Sequence, residues 1–282
     1  MTTIYSALIT PFQKDDTLDE EGLISLIHEQ KAAKIDGVIA LGTTGETPTL
    51  VESEKRRIIE LCVEHSDKML VIVGCGSSST AQAILNTKQA ADLGARSVLV
   101  TSPPYNKPTD AGLMAHFKAV ADNSALPVIL YNHPSRTGCN LTPKMQFELA
   151  THPNIIGVKE SSPDLIQVSD ILLQRPPNYF VLAGDDLQTL PFLALGAEGI
   201  ASVAANLIPH LIRELVDTRS IELQKRLWPF LHLIFSESNP IGIKGALEFC
   251  GKPCGNPRLP LLPMSETGKS KLASLMEKLC LQ

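Results

Sequence analysis

A single lysine stands at the end of an otherwise apolar run, Ile155–Val158, and Lys159 is therefore predicted to lie in a buried strand. Burial disfavours the charged form of an amine and can lower its pKa by up to about 3–5 units. A neutral amine attacks a carbonyl carbon and forms a Schiff base. The alternative is a structural lysine paired with Glu160 or another carboxylate, because lysine is almost never fully buried without a partner. This strand alone favours the structural alternative, and the rest of the chain reverses that preference.

Other polar residues with catalytic chemistry follow neighbouring apolar runs. The segment from Gly42 to Glu46 offers two hydroxyls and successive N–H groups that can hold a carboxylate or phosphate, although by itself it is more simply a cap and turn. Tyr105, Tyr131 and Arg136 follow two further runs. A tyrosine hydroxyl can transfer protons, and an arginine can bind a carboxylate through two hydrogen bonds. Considered singly, each tyrosine is more simply a core residue with a satisfied hydroxyl, and Arg136 is more simply part of a surface ion pair. Their convergence around one lysine favours a catalytic role for these residues.

The elements that must position these residues form a regular alternation of short apolar runs and stretches with helical spacing. Eight such β-then-α units are the number that closes a (β/α)8 TIM barrel, an α/β fold whose active sites lie at the carboxyl ends of the strands. An open doubly wound sheet is disfavoured, because no G-x-G-x-x-G motif follows the first run, which ends in Thr10-Pro11-Phe12. The predicted strands are Ser6–Phe12, Gly37–Gly42, Met69–Gly74, Ser97–Thr101, Pro127–Asn132, Ile155–Lys159, Phe180–Gly184 and Gly199–Val203.

Strand patterns end at about residue 206, and the remainder predicts only helices. We therefore predict a barrel domain over residues 1–220 and a small C-terminal α-helical domain over residues 221–282. The predicted late helices are Leu211–Thr218, Glu222–Ser236, Pro240–Phe249 and Ser265–Leu281.

Composition favours an enzyme that acts on small molecules. The 282 residues carry a formal net charge of −5 and no basic tract, which disfavours nucleic acid or an anionic membrane as the main partner. The six cysteines are scattered, and the amino terminus lacks a basic and then apolar leader, which predicts a cytoplasmic protein with reduced thiols. No apolar run reaches the length of about 18 residues that is typical of a membrane-spanning helix.

A metal site is not predicted. Cys250 and Cys254 lack a second pair of ligands, and the seven histidines show no H-x-H spacing at strand ends. This pattern disfavours a metal-dependent class II aldolase on the same barrel. His133, beside Tyr131, is interpreted as a residue of the barrel rim.

Taken together, the motifs resemble the pyruvate-dependent class I aldolases of the N-acetylneuraminate lyase family. The resemblance covers essentially the whole chain and rests on Gly42–Glu46, Tyr131–Asn132, Pro134–Gly138, Gly157–Glu160, Gly184–Asp186 and Asn239–Ile241. Relatives that cleave N-acetylneuraminate have serine at the position of Thr43 and lack Arg136. The resemblance thus implies condensation of pyruvate with L-aspartate-4-semialdehyde to 4-hydroxy-tetrahydrodipicolinate, the committed step towards diaminopimelate and lysine, with no cofactor.

The resemblance also implies a role for each catalytic residue. Lys159 would form the pyruvate imine, and Tyr131 would donate and accept protons. Thr43 would link Tyr131 through a hydroxyl relay to Tyr105. In the family, the tyrosine that matches Tyr105 enters the site of a neighbouring subunit, so that a dimer is the minimal active unit and a homotetramer the expected assembly.

The expected substrate-binding residues come from the same resemblance. Thr44 would bind the pyruvate carboxylate, and Arg136 would bind the carboxylate of the semialdehyde. Gly184 and the backbone at Ala201 would line the substrates. The family usually has a larger aliphatic residue at the position of Ala201, which changes the local packing but not a main-chain contact.

Inhibition by lysine is predicted to be weak or absent. Lysine-sensitive members of the family have asparagine, glutamate and tyrosine at the positions of Ser78, Gln82 and Pro104. A cationic effector that faces Gln82 instead of a glutamate loses charge-assisted hydrogen bonds worth about 1.5–3 kcal/mol.

Two alternatives of function remain open at this point. One is another aldolase of the same family that acts on a 2-keto-3-deoxy sugar acid through the same imine. The other is a non-catalytic relative that binds a keto acid as a sensor. The sensor is disfavoured because binding alone needs no proton relay, and the chain has all four residues of the relay and imine chemistry: Lys159, Tyr131, Thr43 and Tyr105.

Overall fold

The computed structural model describes residues 2–279. Its eight parallel strands form a closed barrel in sequence order, which confirms the predicted fold class. The strands are β1 (Thr3–Ala7), β2 (Gly37–Ala40), β3 (Leu70–Gly74), β4 (Ser97–Thr101), β5 (Val128–Asn132), β6 (Ile155–Glu160), β7 (Phe180–Ala183) and β8 (Gly199–Ser202).

Helices follow the strands along the chain, and a run of helices follows β8. They are α1 (Glu20–Ala32), α2 (Glu52–His65), α3 (Thr80–Asp92), α4 (Asp110–Asn123), α5 (Pro134–Thr137), α6 (Pro143–Leu149), α7 (Leu165–Gln174), α8 (Thr189–Ala194), α9 (Pro209–Thr218), α10 (Ile221–Ile234), α11 (Ile241–Phe249) and α12 (Glu266–Leu279). The last predicted helix thus exists, and its expected end at residues 280–281 lies outside the described residues.

Helix starts follow from short polar side chains that cap the first free N–H groups. Asp19 accepts from Gly22 N at 3.0 Å before α1, and Asp164 accepts from Ile166 N at 2.9 Å before α7. Such caps satisfy donors that have no partner within the helix. The sequence therefore fixes where these helices begin.

The first strand begins and ends earlier than predicted. It spans Thr3–Ala7, whereas the apolar run predicts Ser6–Phe12. Pro11 lacks an N–H group, and the N–H of Ile9 binds the Asn206 side chain at 3.0 Å. The N–H of Phe12 binds the carbonyl oxygen of Cys254 at 3.1 Å. Leu8 N still donates to Ile39 O of β2 at 3.1 Å, but Ile9 and Phe12 bind residues outside the strands, so the sheet pairing ends there.

Packing divides the chain into two compact units. The first unit comprises residues 70–201, from β3 to most of β8. The second comprises residues 2–69 together with those from 202 onward. These boundaries differ from the predicted domains at residues 1–220 and 221–282, and that division stays a prediction.

Within the first unit, the strands are buried on both faces, as in a parallel sheet covered by helices. Val98, Leu99 and Val100 in β4 are each at most 3% exposed. Tyr131 of β5 pairs with Lys159 of β6, so the register brings the two residues side by side. Over residues 2–279, the structure contains no helix both long and apolar enough to cross a membrane.

Candidate active site

Lys159 lies near the carboxyl end of β6 and is buried, with only 6% of its surface exposed. Its Nζ atom lies 4.4 Å from the centroid of the Tyr131 ring. In the part of the chain that the structure describes, no carboxylate forms an ion pair with it. The structural alternative, a lysine paired with Glu160, is therefore wrong. The amine is instead placed beside a phenol, which can transfer protons.

Glu160 points away from Lys159, because successive side chains of a strand alternate between its two faces. Its carboxylate accepts hydrogen bonds from the side chains of Asn132 and Gln146, each at 2.9 Å, and from Ser162 N at 2.7 Å. Burial raises the pKa of Glu160 to about 7, although these hydrogen bonds lower it. Sequence analysis assigned no role to this carboxylate beyond a possible pairing with Lys159.

The ring of His133 packs edge-on against Tyr131, with 5.7 Å between the ring centroids. Burial is the main cause, and the nearby Arg136 and Lys159 side chains a smaller one, of a pKa of His133 lowered to about 4. His133 is therefore neutral at pH 7, and its Nδ1 lies 3.0 Å from the Ser135 hydroxyl. A neutral imidazole beside Tyr131 adds no competing positive charge to the site.

Arg136 lies on the short helix α5, directly after β5, and its side chain is exposed. Pro134 begins this helix and Gly138 ends it with φ of +70°, the positions that these two residue types favour. In residues 2–279, the guanidinium makes neither an ion pair nor a hydrogen bond. It is thus available to an anionic ligand.

Tyr105 lies in the loop after β4 and is 93% exposed. Its φ of +75° is unusual for a bulky residue. The loop is held by the next residue, because Asn106 Nδ2 donates to the carbonyl oxygen of Ser78 at 2.9 Å. Within one chain, the structure does not bring Tyr105 together with Lys159. The Tyr105 side chain instead extends from the surface of the chain.

Two glycines restrict the space around β6. A methyl group on Gly184 would lie 1.9 Å from the Ser161 hydroxyl oxygen, and one on Gly157 would lie 2.3 Å from the carbonyl oxygen of Phe180. Both distances are far below van der Waals contact, so only glycine fits. Ala201, in β8, is fully buried.

In the second unit, the segment from Gly42 to Glu46 forms a 3₁₀ turn over Thr43–Gly45. A second 3₁₀ turn follows over Thr47–Thr49, and α2 begins only at Glu52. Thr43 is partly buried, and Thr44 is 3% exposed. The Thr44 hydroxyl oxygen accepts from Asn239 Nδ2 at 2.9 Å.

A buried ion pair ends this turn. Oε1 of Glu46 lies 2.6 Å from Nζ of Lys244 in α11, and Arg258 N donates to the other carboxylate oxygen at 2.8 Å. Lys244 and Arg258 also lie over the Phe12 ring, 4.3 and 4.1 Å from its centroid. Burial lowers the pKa of Lys244 despite the neighbouring carboxylate. Sequence analysis missed this pair, although a lysine in the apolar run of α11 was a signal for it.

No group of three or more His, Cys, Asp or Glu side chains in residues 2–279 is arranged to hold a metal ion. Cys254, of the pair with C-x3-C spacing, is a free and buried thiol. Cys280 lies outside the described residues.

A buried lysine without an ion pair, beside a tyrosine at the carboxyl end of a barrel strand, defines a class of enzyme. Barrel enzymes place their catalytic groups at these strand ends, and a lysine amine there forms Schiff bases with carbonyl substrates. Fold and site thus define an aldolase-type enzyme that acts through an imine.

Comparison with known proteins narrows this class. The model of the Dihydrodipicolinate synthetase family matches residues 1–279, and the chain belongs to this family. A protein of Protochlamydia amoebophila named 4-hydroxy-tetrahydrodipicolinate synthase is 44% identical, over 98% of this chain and 96% of its own. A synthase of the same name from Methanothrix thermoacetophila is 43% identical, over 98% and 96% of the two chains.

Solved structures of the same family agree in fold. A crystal structure of a dihydrodipicolinate synthase is 40% identical and superposes with a TM-score of 0.96 over 100% of both chains. The chloride-inhibited enzyme from Acinetobacter baumannii, in complex with pyruvate, is 34% identical with a TM-score of 0.97, over 100% of this chain and 99% of its own. The match therefore extends over the whole chain rather than over the barrel strands alone.

Proposed function

We propose that this chain condenses pyruvate with L-aspartate-4-semialdehyde to give 4-hydroxy-tetrahydrodipicolinate, for the synthesis of diaminopimelate and lysine. The observation that carries the proposal is the buried Lys159 amine, which lies 4.4 Å from the centroid of the Tyr131 ring and has no ion pair within the described residues. The name shared by the curated relatives supports the product, and the pyruvate complex of the Acinetobacter baumannii enzyme supports the first substrate.

The first half of the reaction takes place on Lys159. Its amine attacks the keto carbon of pyruvate, and the carbinolamine loses water to form an imine. The imine withdraws electrons, so that the pyruvate methyl group releases a proton and an enamine forms. The enamine carbon then attacks the aldehyde carbon of the second substrate and forms the new carbon–carbon bond.

Ring closure releases the enzyme. The amino group of the semialdehyde portion attacks the imine carbon and displaces the Lys159 amine, which gives the cyclic product. Overall, one pyruvate and one semialdehyde give one product and one water. Tyr131, beside Lys159, is the proposed proton donor and acceptor in these steps. Arg136, exposed and free of ion pairs, is the proposed ligand of the semialdehyde carboxylate.

The remaining roles stay predictions of the family resemblance. Thr43 is predicted to relay protons between Tyr131 and Tyr105, and Thr44 to bind the pyruvate carboxylate. Gly184 and Ala201 are predicted to line the substrates. A homotetramer built from two dimers is proposed, with the exposed Tyr105 entering the site of a second subunit.

Borohydride trapping tests the imine directly. The wild-type protein and a Lys159→Ala variant are incubated with pyruvate and reduced with borohydride, and the products are examined by intact-mass and peptide mass spectrometry. We expect a pyruvate-sized adduct on Lys159 that is missing from the variant. Lys144→Ala, which removes an exposed lysine of the same unit, is the matched control and should keep the adduct. A folded wild-type protein without an adduct would refute the proposal.

Substrate profiling tests the aldehyde partner. Purified protein is supplied with pyruvate and either aspartate semialdehyde or the aldehyde half of a 2-keto-3-deoxy sugar acid. We expect turnover with the semialdehyde at a kcat/KM at least tenfold higher. A preference for the sugar-derived aldehyde would indicate an aldolase that acts on a 2-keto-3-deoxy sugar acid. Imine formation without any turnover would favour a keto-acid sensor.

A further inference from the structure

Glu160, the residue after the proposed Schiff-base lysine, is a carboxylate with no exposed surface. It faces away from the substrates and takes no part in the steps above. Its strand partner is Asn132, which directly follows Tyr131. The pair Asn132 and Glu160 therefore lies one residue beyond the pair Tyr131 and Lys159, on the opposite face of the same two strands.

Every hydrogen bond to this carboxylate comes from a neutral donor. Asn132 Nδ2 lies 2.9 and 3.0 Å from its two oxygens. Gln146 Nε2 donates at 2.9 Å and Ser162 N at 2.7 Å. No cationic side chain in the described part of the chain pairs with Glu160.

The same donors fix the segment that carries Arg136. Asn132 Oδ1 accepts from Leu141 N at 3.0 Å, and Gln146 Nε2 donates to Leu141 O at 2.9 Å. The bond between Asn132 and Leu141 thus joins the residue before the segment 133–142 to a residue near its end. Glu160, by binding both Asn132 and Gln146, links this segment to β6.

We propose that Glu160 is a positioning residue that ties the ends of β5 and β6 to the segment 133–142 and so holds Tyr131, Lys159 and Arg136 in their working arrangement. This inference rests on the proposed condensation. It concerns a residue that touches neither substrate, and it assigns a function to a buried carboxylate that the chemistry leaves unused.

The ionised form suits this position better than the neutral form. A carboxylate offers only acceptors to the donors of Asn132, Gln146 and Ser162, whereas protonation turns one oxygen into a donor that faces donors. Burial raises the pKa of Glu160 to about 7, so this change falls in the neutral range. The other titratable group that senses it is Tyr179, whose hydroxyl donates to Gln146 Oε1 at 3.3 Å. Burial raises the pKa of Tyr179, which therefore stays neutral.

The variant Glu160→Gln tests the proposal, because it keeps the shape and places an NH₂ group against the same donors. We expect kcat to fall on the order of ten- to a hundredfold and KM for the semialdehyde to rise, since small misplacements of catalytic groups have effects of this size. The borohydride adduct on Lys159 should still form. In the wild type, kcat/KM should show an inflection near pH 7 that is missing from the variant.

Two further variants separate positioning from a merely structural role. Glu148→Gln makes the same chemical change at an exposed carboxylate of α6 and should leave activity and the pH profile unchanged. Gln146→Leu removes one donor while Glu160 stays, so the inflection should move to higher pH. This second variant keeps the test decisive if Glu160→Gln does not fold.

The outcomes are distinct. Wild-type kinetics and an unchanged pH profile in folded Glu160→Gln would overturn the inference while the imine chemistry stands. An inflection that stays in place in Gln146→Leu would also overturn it. A wild-type protein that forms no adduct with pyruvate would overturn the proposed function, and the inference with it.

Discussion

Nζ of Lys244 lies 2.6 Å from Oε1 of Glu46, and the two side chains are only 2% and 1% exposed. Glu46 is the last residue of the segment from Gly42 and adopts a left-handed backbone with φ of +54°. The ion pair therefore anchors an uncommon backbone conformation directly after Thr43 and Thr44. Removal of either partner leaves a buried charge without its counterion.

The first prediction concerns stability. Lys244→Met is expected to lower the free energy of unfolding by about 3–5 kcal/mol, because the Glu46 carboxylate stays buried without its cation. Urea denaturation followed by circular dichroism measures the change. Lys225→Met, which removes an exposed lysine paired with Glu222, is the control and should change stability by less than about 1 kcal/mol. If the two variants lowered the free energy of unfolding equally, burial of the ion pair would not explain the loss in Lys244→Met.

Tyr131→Phe removes the proposed proton donor while the ring and its packing stay. We expect kcat to fall about 10²- to 10⁴-fold, the usual contribution of a positioned acid or base. Tyr5→Phe is the matched control, because Tyr5 and Tyr131 are both 8% exposed. Steady-state kinetics on both variants decide the matter: activity retained in Tyr131→Phe would exclude the hydroxyl from the chemistry.

Arg136→Ala is expected to affect the second substrate selectively. A guanidinium–carboxylate contact contributes about 1.5–3 kcal/mol, so kcat/KM for the semialdehyde should fall roughly ten- to a hundredfold. The rate of imine formation with pyruvate should be unchanged. Arg226→Ala, at an exposed arginine of α10, serves as the control. A parallel loss for both substrates would indicate a general disturbance of the site instead.

The fourth prediction concerns inhibition by lysine. Gln82 Nε2 donates to Asn86 Oδ1 at 2.9 Å, and Ser78 Oγ donates to the carbonyl oxygen of Pro104 at 3.0 Å. These groups offer no negative charge to an effector cation. We expect no half-inhibition below about 1 mM lysine, and a measurable gain in sensitivity in Gln82→Glu, which adds the charge. Submillimolar inhibition of the wild type in steady-state assays would refute this expectation.

Acid lability is expected from His116, which is 4% exposed. Its Nδ1 lies 3.0 Å from the Thr80 hydroxyl, and its buried Nε2 has no partner. Burial lowers the pKa of His116 to about 4, against about 6.5 in the unfolded chain. The unfolded state therefore binds the proton first, and stability falls as pH decreases from about 6.5 to about 4, by on the order of 3 kcal/mol.

The measurement is the midpoint of denaturation at several pH values between 7 and 4. His116→Gln should flatten the decline, because it removes the group that must be charged. His210→Gln, at an exposed histidine, should leave the decline in place. If His116→Gln declines as steeply as the wild type, another group causes the acid lability.

The sequence predicts the barrel well because its signals are local. Five of the predicted strand starts, those of β2, β4, β6, β7 and β8, coincide with the observed starts, since apolar runs and flanking turn residues determine them. Lys159 was singled out by its own strand, but its catalytic interpretation depended on the motifs in the rest of the chain. The first strand was misplaced because Ile9 and Phe12 bind residues distant in the chain, which no local pattern reveals.

Contacts between distant residues also explain what the sequence left out of the site. The Glu46 and Lys244 pair joins positions 198 residues apart, and the Asn132 and Glu160 contact joins two strands. A charged residue in an apolar run indicates a partner but does not identify it. For Tyr105 the difficulty is reversed: the sequence predicts its role, but a single chain does not test that role, because the role depends on a second subunit.

Gly157, in β6, and Gly184, directly after β7, limit the redesign of this enzyme. A library that aims at new aldehyde partners gains nothing by varying Gly157 or Gly184, because even a single methyl group would overlap neighbouring atoms and displace the strand that carries Lys159. Ser135 and Arg136, in the segment after β5, are exposed instead. Selection for altered substrate range should therefore find its productive variants in that loop, and the glycine positions should be returned unchanged.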